Sequence, residues 1–256
     1  MSNMKLYNYF LLLFVLCCLS PLKASEIQIA AASNLRYVLP LLIAEFKQQS
    51  THHINVSYAA SGTLTTQIQY GAPFEVFFSA EPSYIVRLTE RGLIKGEVID
   101  FAQAQVVLFA SKQSVLKLDV DLNNIKLALE QGALGKIAIA NPMHAPYGQA
   151  AQTLLQKAEI WQKIQPHLLN AENASQALQF SLASQVDAGF IPYSYMLQPQ
   201  ISSKGRYIKL KLTLPQQAVL IRGASAEAKQ FIGFIQTEPA KAILRMQGFI
   251  TAGKAL

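Results

Sequence analysis

The sequence contains 256 residues, which is enough for one large domain or for two modest lobes with a sizeable core. Hydrophobic residues make up 51% and charged residues 14%, a composition too apolar for an intrinsically disordered chain. The formal net charge is +7, but the basic residues are scattered and form no dense block. Nucleic-acid binding usually requires such a block, so this function class is disfavoured.

The first 24 residues have the pattern of a secretory signal peptide. Lys5 precedes an unbroken apolar run of 11 residues, 9–19, which Pro21 ends. The run is too short for an ordinary membrane span, and Ala24 offers a small residue for cleavage. An uncleaved N-terminal anchor is the alternative. Both cysteines, Cys17 and Cys18, lie in this leader, so the mature chain is expected to have no disulfide and no cysteine metal site.

After the leader, strand-like and helix-like segments alternate. Strands are predicted at 27–32, 54–58, 76–78, 106–110, 137–140 and 188–191. Helices are predicted at 35–46, 64–68, 149–157, 174–184, 226–236 and 239–248. Pro40 falls inside the first helical pattern, so the regular helix is expected to begin nearer Tyr37. The alternation predicts an α/β protein with mostly parallel sheets.

Three loops that follow predicted strands and lead into helices are candidates for function. Two of them contain a serine after a run of small residues, at Ser33 and at Ser61, and the third covers 141–148. A serine at a helix start can cap the helix, or it can offer its hydroxyl and N–H to an anion. The residues alone leave both readings open.

Other kinds of chemistry have weak support in the sequence. His144 and His167 have no partner at metal-ligand spacing, so no metal coordinated by side chains is expected. The chain has no nucleophile elbow, phosphate-binding loop or dinucleotide fingerprint. Asp187, which precedes a predicted strand, is expected to end a turn rather than to act as a base.

Taken together, the segments resemble the periplasmic molybdate-binding proteins of ABC transporters across almost the whole mature chain. The blocks that carry the resemblance are 29–33 (IAAAS), 61–68 with 71–80, 135–148 (GKIAIANPMHAPYG), 171–173 (AEN) and 189–193.

The resemblance implies an α/β, two-lobed periplasmic binding protein fold of type II, with mixed sheets flanked by helices and a ligand cleft between the lobes. It divides the chain into a cleaved signal peptide (1–24), the first part of lobe 1 (25–105), lobe 2 (106–196) and a return to lobe 1 (197–256). It further implies a periplasmic monomer that binds molybdate or tungstate, needs no cofactor and delivers its ligand to an inner-membrane ABC permease with its ATPase.

The resemblance also implies five ligand-binding residues. Ser33 and Ser61 would donate hydroxyl and backbone N–H groups from lobe 1, and Tyr147 and Ala174 would donate backbone N–H groups from lobe 2. Tyr193 is the nearest match to a tyrosine whose phenol binds an oxyanion oxygen in some members. It matches with a slip of one residue, without which Pro192 takes that place. If only the N–H of Tyr147 is used, its ring must turn away from the anion.

Two other functions remain open at this point. The first is a binding protein of the same fold for sulfate, an amino acid or an iron complex. The three loops contain no charged pair for an amino acid, although Tyr193 and Tyr195 could belong to an iron-binding cluster. The second is a secreted hydrolase, for which the chain shows no recognisable nucleophile–base set.

Overall fold

Eight strands form one mixed sheet in this computed structural model, which describes residues 26–251. The strand order is β2-β1-β3-β8-β4-β7-β5-β6. The strands are β1 (Glu26–Ala32), β2 (His53–Ala59), β3 (Val76–Ser79), β4 (Ile94–Ser111), β5 (Lys136–Ala140), β6 (Leu168–Ala171), β7 (Val186–Pro192) and β8 (Gly205–Ile221). The predicted signal peptide, 1–24, lies outside the described residues.

Helices cover both faces of the sheet. They are α1 (Leu39–Phe46), α2 (Ser61–Gln69), α3 (Pro82–Glu90), α4 (Asn123–Glu130), α5 (Pro146–Lys157), α6 (Trp161–Ile164), α7 (Ala174–Ser181), α8 (Tyr193–Met196), α9 (Pro199–Ser202), α10 (Ala226–Ile235) and α11 (Glu238–Met246). Two 3-10 turns cover Ser33–Leu35 and Gln165–His167. Within residues 26–251, no helix has both the length and the hydropathy that a membrane span requires.

Lobe 1 is built on the parallel strands β2, β1 and β3. The side chains of β1 alternate between two faces of the sheet, as a strand requires. Ile27 and Ile29 pack with Phe231 on one face, whereas Ala30 packs with Leu64 on the other. Both faces of β1 and β3 are buried, which explains their mostly apolar sequences, whereas the edge strand β2 alternates between apolar and exposed residues.

Lobe 2 repeats this plan with β5 parallel to both β6 and β7. Ile137 and Ile139 pack with Leu155 of α5 on one face of the sheet. Phe109 and Ile191 pack with Ala177 of α7 on the other. Each lobe therefore has its own core on both sides of its strands, and the carboxyl ends of the parallel strands in each lobe lead into helices at the cleft.

The two longest strands join the lobes. β4 and β8 run antiparallel to each other, and their register shifts between Gln105 and Val107. Before this irregularity β4 pairs with the lobe 1 half of β8, and after it β4 pairs with both β7 and the lobe 2 half of β8. This irregularity lies beside the 105/106 boundary that the family resemblance implies. The return crossing differs from the predicted 196/197, because β8 first pairs through Lys209 with lobe 2 and continues from Thr213 into lobe 1.

Most predicted elements occur within a few residues of their expected positions, with one difference in the sheet and one at the start of a helix. The α/β class is confirmed, but the strands form one sheet in which β4 and β8 supply antiparallel pairs. The regular helix α1 begins at Leu39, later than Tyr37, with Pro40 in its first turn. Proline fits this position because the N–H it lacks would have no partner there.

Candidate functional site

A small cavity lies between the lobes, at the loops that the sequence singled out. We call it the inter-lobe cavity. Its lining residues are Ala32, Ser33, Asn34, Ala59, Ala60, Ser61 and Ala80 from lobe 1, and Ala145, Pro146, Tyr147 and Ala174 from lobe 2. Four of the five predicted binding residues are therefore brought to one cavity, two from each lobe. The six alanines and one proline provide a tight wall with little side-chain freedom.

Ser33 lies directly after β1, in a three-residue 3-10 turn rather than in an α-helix. The preceding residue, Ala32, makes no side-chain cap, and no protein partner for the Ser33 hydroxyl is found within residues 26–251. The neighbouring Asn34 is also buried, and its Nδ2 donates to Oε1 of Gln216 at 2.8 Å. Gln216 in turn donates to the carbonyl of Leu214, so the side chain of Asn34 is anchored to β8.

Ser61 is the first residue of α2, and it is fully buried. Its Oγ accepts a hydrogen bond from the N–H of Ala80 at 3.2 Å. This contact occupies an acceptor site of the hydroxyl and leaves its proton free to be donated. Ala60, not Ser61, holds the N-cap position, and it has no side chain that could cap the helix. The capping interpretation of Ser61 is therefore wrong, and a hydroxyl proton is available to the cavity.

Two helix starts meet the cavity from lobe 2. Tyr147 is the second residue of α5, which follows the uncapped Ala145, and Ala174 is the first residue of α7. Asn173 caps α7 by accepting from the N–H groups of Ser175 and Gln176, and so leaves the N–H of Ala174 free. No backbone acceptor is found in the described chain for the N–H groups of Tyr147 and Ala174.

The electrostatics of the cavity follow from these helix starts. No charged side chain of residues 26–251 lines it. The N-termini of α2, α5 and α7 converge on it, and each helix start carries a partial positive charge and N–H groups without helical partners. Buried N–H groups at a helix start that donate to no capping side chain need another hydrogen-bond acceptor. An anion rich in oxygen atoms would supply several at once.

Two buried polar atoms of the lining have no hydrogen-bond partner in the described structure, namely Asn34 Oδ1 and the Tyr147 hydroxyl. The Tyr147 ring packs in the lobe 2 core, as expected if only its N–H serves a ligand. Burial raises the pKa of Tyr147 well above its usual value of about 10, and the nearby Tyr195 adds to this, whereas the Asn34 amide acts in the opposite direction. Tyr147 is therefore a neutral hydroxyl at every physiological pH.

The lobes are closed over the cavity and bonded directly to each other. The N–H of Gly62 in α2 donates to the carbonyl of His144 in lobe 2 at 2.9 Å. Gln149 Nε2 in α5 donates to the Tyr84 hydroxyl in α3 at 3.3 Å. Even including the space at its mouth, the cavity holds only about 200 Å³. That is below the roughly 300–1,000 Å³ of pockets for drug-sized ligands, so it suits a small solute.

The structure does not bring Tyr193 to the cavity, which corrects the prediction that its phenol binds the ligand. Pro192 holds the N-cap position of α8, and the helix that follows turns the ring of Tyr193 away. The ring lies 3.7 Å from Lys209 Nζ, and it also packs beside Tyr207. The tyrosine that points inward is instead Tyr195, which is fully buried and whose hydroxyl donates to the Ser33 carbonyl at 2.7 Å.

The remaining candidates from the sequence have structural roles. His144 Nε2 contacts the carbonyl of Glu172, and His167 Nδ1 contacts the carbonyl of Gly135. Asp187 is the second residue of β7 and does not end a turn, which corrects the prediction; its carboxylate accepts the N–H of Gly135, which precedes β5, at 2.6 Å. Over residues 26–251, no three His, Cys, Asp or Glu side chains are grouped closely enough to hold a metal ion.

Comparisons with known proteins agree with this architecture. The family model described as "Bacterial extracellular solute-binding protein" matches residues 27–250. The molybdate-binding protein ModA of Rhodobacter capsulatus is 31% identical over 242 residues, covering 90% of both chains. ModA of Escherichia coli is 28% identical, covering 88% of both chains.

A solved structure gives the same picture in three dimensions. The periplasmic molybdate-binding protein of Azotobacter vinelandii superposes with a TM-score of 0.77 at 27% identity, and the match covers 89% of this chain and 100% of that one. The sequence match, the two-lobed fold and the closed inter-lobe cavity lead to one conclusion. The chain belongs to the bacterial extracellular solute-binding protein family.

Proposed function

We propose that this protein binds molybdate, and also tungstate, in the inter-lobe cavity and delivers the ion to an ABC importer in the inner membrane. One observation carries the proposal: Ser33, Ser61, Tyr147 and Ala174 line a single cavity that has no charged side chain. The relatives named as molybdate-binding proteins support the choice of ion.

The cavity supplies enough hydrogen-bond donors to hold a dianion without a cation. The hydroxyl and N–H groups of Ser33 and Ser61, with the N–H groups of Tyr147 and Ala174, make six candidates. A hydrogen bond to a charged group contributes about 1.5–3 kcal/mol net, so six amount to about 9–18 kcal/mol before the costs of association. Micromolar binding needs about 8 kcal/mol. The donor set is therefore sufficient even after a considerable association cost.

The same donors discriminate among anions. A fully deprotonated tetrahedral oxyanion accepts at every oxygen, whereas hydrogen phosphate must place its own O–H against a donor. Sulfate has the charge of molybdate but is smaller, so the fit between the two lobes must separate them. The small volume of the cavity disfavours amino acids and iron complexes, and no carboxylate of residues 26–251 lines it to pair with an amino group.

Binding rather than catalysis is the role that the site supports. Neither cavity serine is hydrogen-bonded to a histidine or carboxylate within the described residues, and such a partner is what activates a serine nucleophile. The protein would act as an exported monomer without a cofactor. Its closed form would be the one presented to the permease and its ATPase.

Calorimetry and thermal unfolding with molybdate, tungstate, sulfate and phosphate test the proposal. Ligand at 100 times its Kd adds about 2.7 kcal/mol of stability. For a chain of this size that corresponds to a rise in Tm of roughly 5–11 °C. We expect this rise with molybdate and tungstate, and a much smaller one with sulfate or phosphate. A rise with sulfate or phosphate alone would overturn the choice of ion.

A further inference from the structure

A continuous chain of hydrogen bonds leads from an exposed cation to the wall of the inter-lobe cavity. Arg36 Nε donates to Ser175 Oγ at 3.1 Å, Ser175 Oγ lies 2.9 Å from the Tyr195 hydroxyl, and that hydroxyl donates to the Ser33 carbonyl at 2.7 Å. We call this chain, Arg36–Ser175–Tyr195–Ser33, the Arg36 relay. The sequence assigned no role in oxyanion binding to the side chains of Arg36, Ser175 and Tyr195, and Ser33 takes part only through its carbonyl.

All the bonds of the relay run in one direction. Tyr195 has a single hydroxyl proton, and it is given to Ser33, so Tyr195 must accept from Ser175. Ser175 then accepts from the guanidinium of Arg36. A chain with a cation at its donor end polarises each bond that follows it. The last acceptor is the Ser33 carbonyl, and the N–H of the same peptide group belongs to Asn34. Both of these residues line the cavity.

The relay also crosses the cleft. Arg36 and Ser33 belong to lobe 1, whereas Ser175 follows Ala174 in α7 of lobe 2 and Tyr195 packs against Val107 and Phe109 in the lobe 2 core. Its first and last bonds therefore join the two lobes. They can form only when the lobes are closed, the state in which the donors of the cavity converge.

The charge of Arg36 can act on a bound anion, because no acidic side chain of the described residues forms an ion pair with it. It is exposed, and no Asp or Glu within residues 26–251 lies within ion-pair distance of it. Its guanidinium is steadied by the Tyr58 ring, whose centre is 5.0 Å away. A cation held at the cleft without a counter-ion favours a doubly negative ligand nearby.

We propose that Arg36 is a positioning residue for oxyanion binding. Through Ser175 and Tyr195 it holds the lobes closed and strengthens the N–H of Asn34, the donor of the peptide group that contains the Ser33 carbonyl, without touching the ligand. This rests on the proposed function, because the relay needs an anion in the cavity to act upon. It also accounts for a cavity that has no charged lining and yet is suited to a dianion.

A double-mutant cycle of Arg36→Gln and Tyr195→Phe, measured by calorimetry with molybdate, tests the relay. Each single change should weaken binding by about tenfold or more, the scale of one charged hydrogen bond. Because both changes interrupt the same chain, the double variant should bind about as well as the weaker single variant. Arg36→Lys, which keeps the charge and can still reach Ser175, should recover part of the affinity.

Two matched controls separate the relay from other effects. Arg222→Gln removes an exposed positive charge elsewhere in lobe 1, and Tyr207→Phe removes a phenol that belongs to neither the relay nor the cavity. Both should leave the affinity unchanged. Wild-type affinity should also fall between about 10 mM and about 1 M salt, over which the screening length drops from about 30 Å to about 3 Å, and it should fall less steeply in Arg36→Gln.

The outcomes distinguish the two proposals. If the wild type binds molybdate and Arg36→Gln binds it equally well, the relay is overturned and the proposed function stands. Single effects that multiply in the double variant would likewise overturn the relay. If the wild type binds none of molybdate, tungstate, sulfate and phosphate, both proposals are overturned.

Discussion

Replacing Ser61 with alanine separates the ligand-binding role of its hydroxyl from its structural role. The hydroxyl oxygen accepts from the N–H of Ala80 at 3.2 Å, and its proton is available to the cavity. Ser61→Ala removes one hydrogen bond to the anion, which contributes about 1.5–3 kcal/mol, so affinity should fall by about 10- to 150-fold. The change also leaves the buried N–H of Ala80 without an acceptor. That should cost about 1–3 kcal/mol of stability in the ligand-free protein.

Ser79→Ala is the matched control for this structural cost. Ser79 is fully buried beside Ala80, and its hydroxyl donates to the carbonyl of Glu81 at 2.8 Å, but it does not line the cavity. Both variants should therefore lose stability, and only Ser61→Ala should lose affinity.

Calorimetric titration of ligand-free protein with molybdate measures the affinity, and thermal unfolding monitored by circular dichroism measures the stability. The reasoning is refuted if Ser61→Ala binds molybdate within twofold of Ser79→Ala. In that case the hydroxyl of Ser61 serves only to anchor Ala80.

Three further predictions follow from the structure. Ala174→Pro deletes one candidate N–H donor at the first position of α7, where proline is tolerated and Asn173 already has the extended backbone that proline requires of its predecessor. We expect unchanged helical content by circular dichroism and molybdate binding that is weaker by about tenfold or more. Equal affinity would show that this N–H does not contact the ligand. Gly62→Ala would place a Cβ 2.8 Å from the carbonyl of His144 across the cleft, so it should hinder closure of the lobes and weaken molybdate binding in calorimetry. Gly233→Ala is the control, because its Cβ meets no atom within 4 Å and binding should be unchanged. Normal affinity in Gly62→Ala would contradict this prediction. Burial raises the pKa of Tyr58 to about 12, and it also raises the pKa of Tyr195, from about 10 in the unfolded chain. The stability that these neutral phenols contribute is therefore complete below about pH 10 and is lost as the pH rises through their folded pKa values. We expect Tm to fall above about pH 10, and a Tm that rises there would contradict this.

The sequence predicted the local elements well where periodicity and chain breakers are unambiguous. Gly71 ends α2 with a φ of +86°, and Ser225 caps α10 by accepting the N–H of Ala228, both as expected from residue type. The strand β8 was missed although a signal was present. Ile208, Leu210, Leu212 and Leu214 alternate with polar residues, which is the period of a strand, but Pro215 interrupts the pattern.

The candidate site was predicted in part, because its loops follow small-residue strands whose carboxyl ends meet at one edge of a sheet. This reasoning, with the family resemblance, led to Ser33, Ser61, Tyr147 and Ala174, which the structure places around one cavity. Asn34 is adjacent to Ser33 and also lines the cavity, but its contact with Gln216 joins positions far apart in the sequence. Local pattern contains no information about such a pair.

The sequence by itself determined the α/β class, the positions of six strands and six helices, and the uncharged character of the loops around the ligand site. Only the tertiary structure decided which tyrosine reaches Ser33, where β8 crosses back into lobe 1, and that Arg36 approaches Ser175 from the opposite lobe. The reason is physical. Periodicity fixes which side of an element is buried, whereas the direction of one ring in a short helix and the closure of two lobes depend on packing between segments distant in the chain.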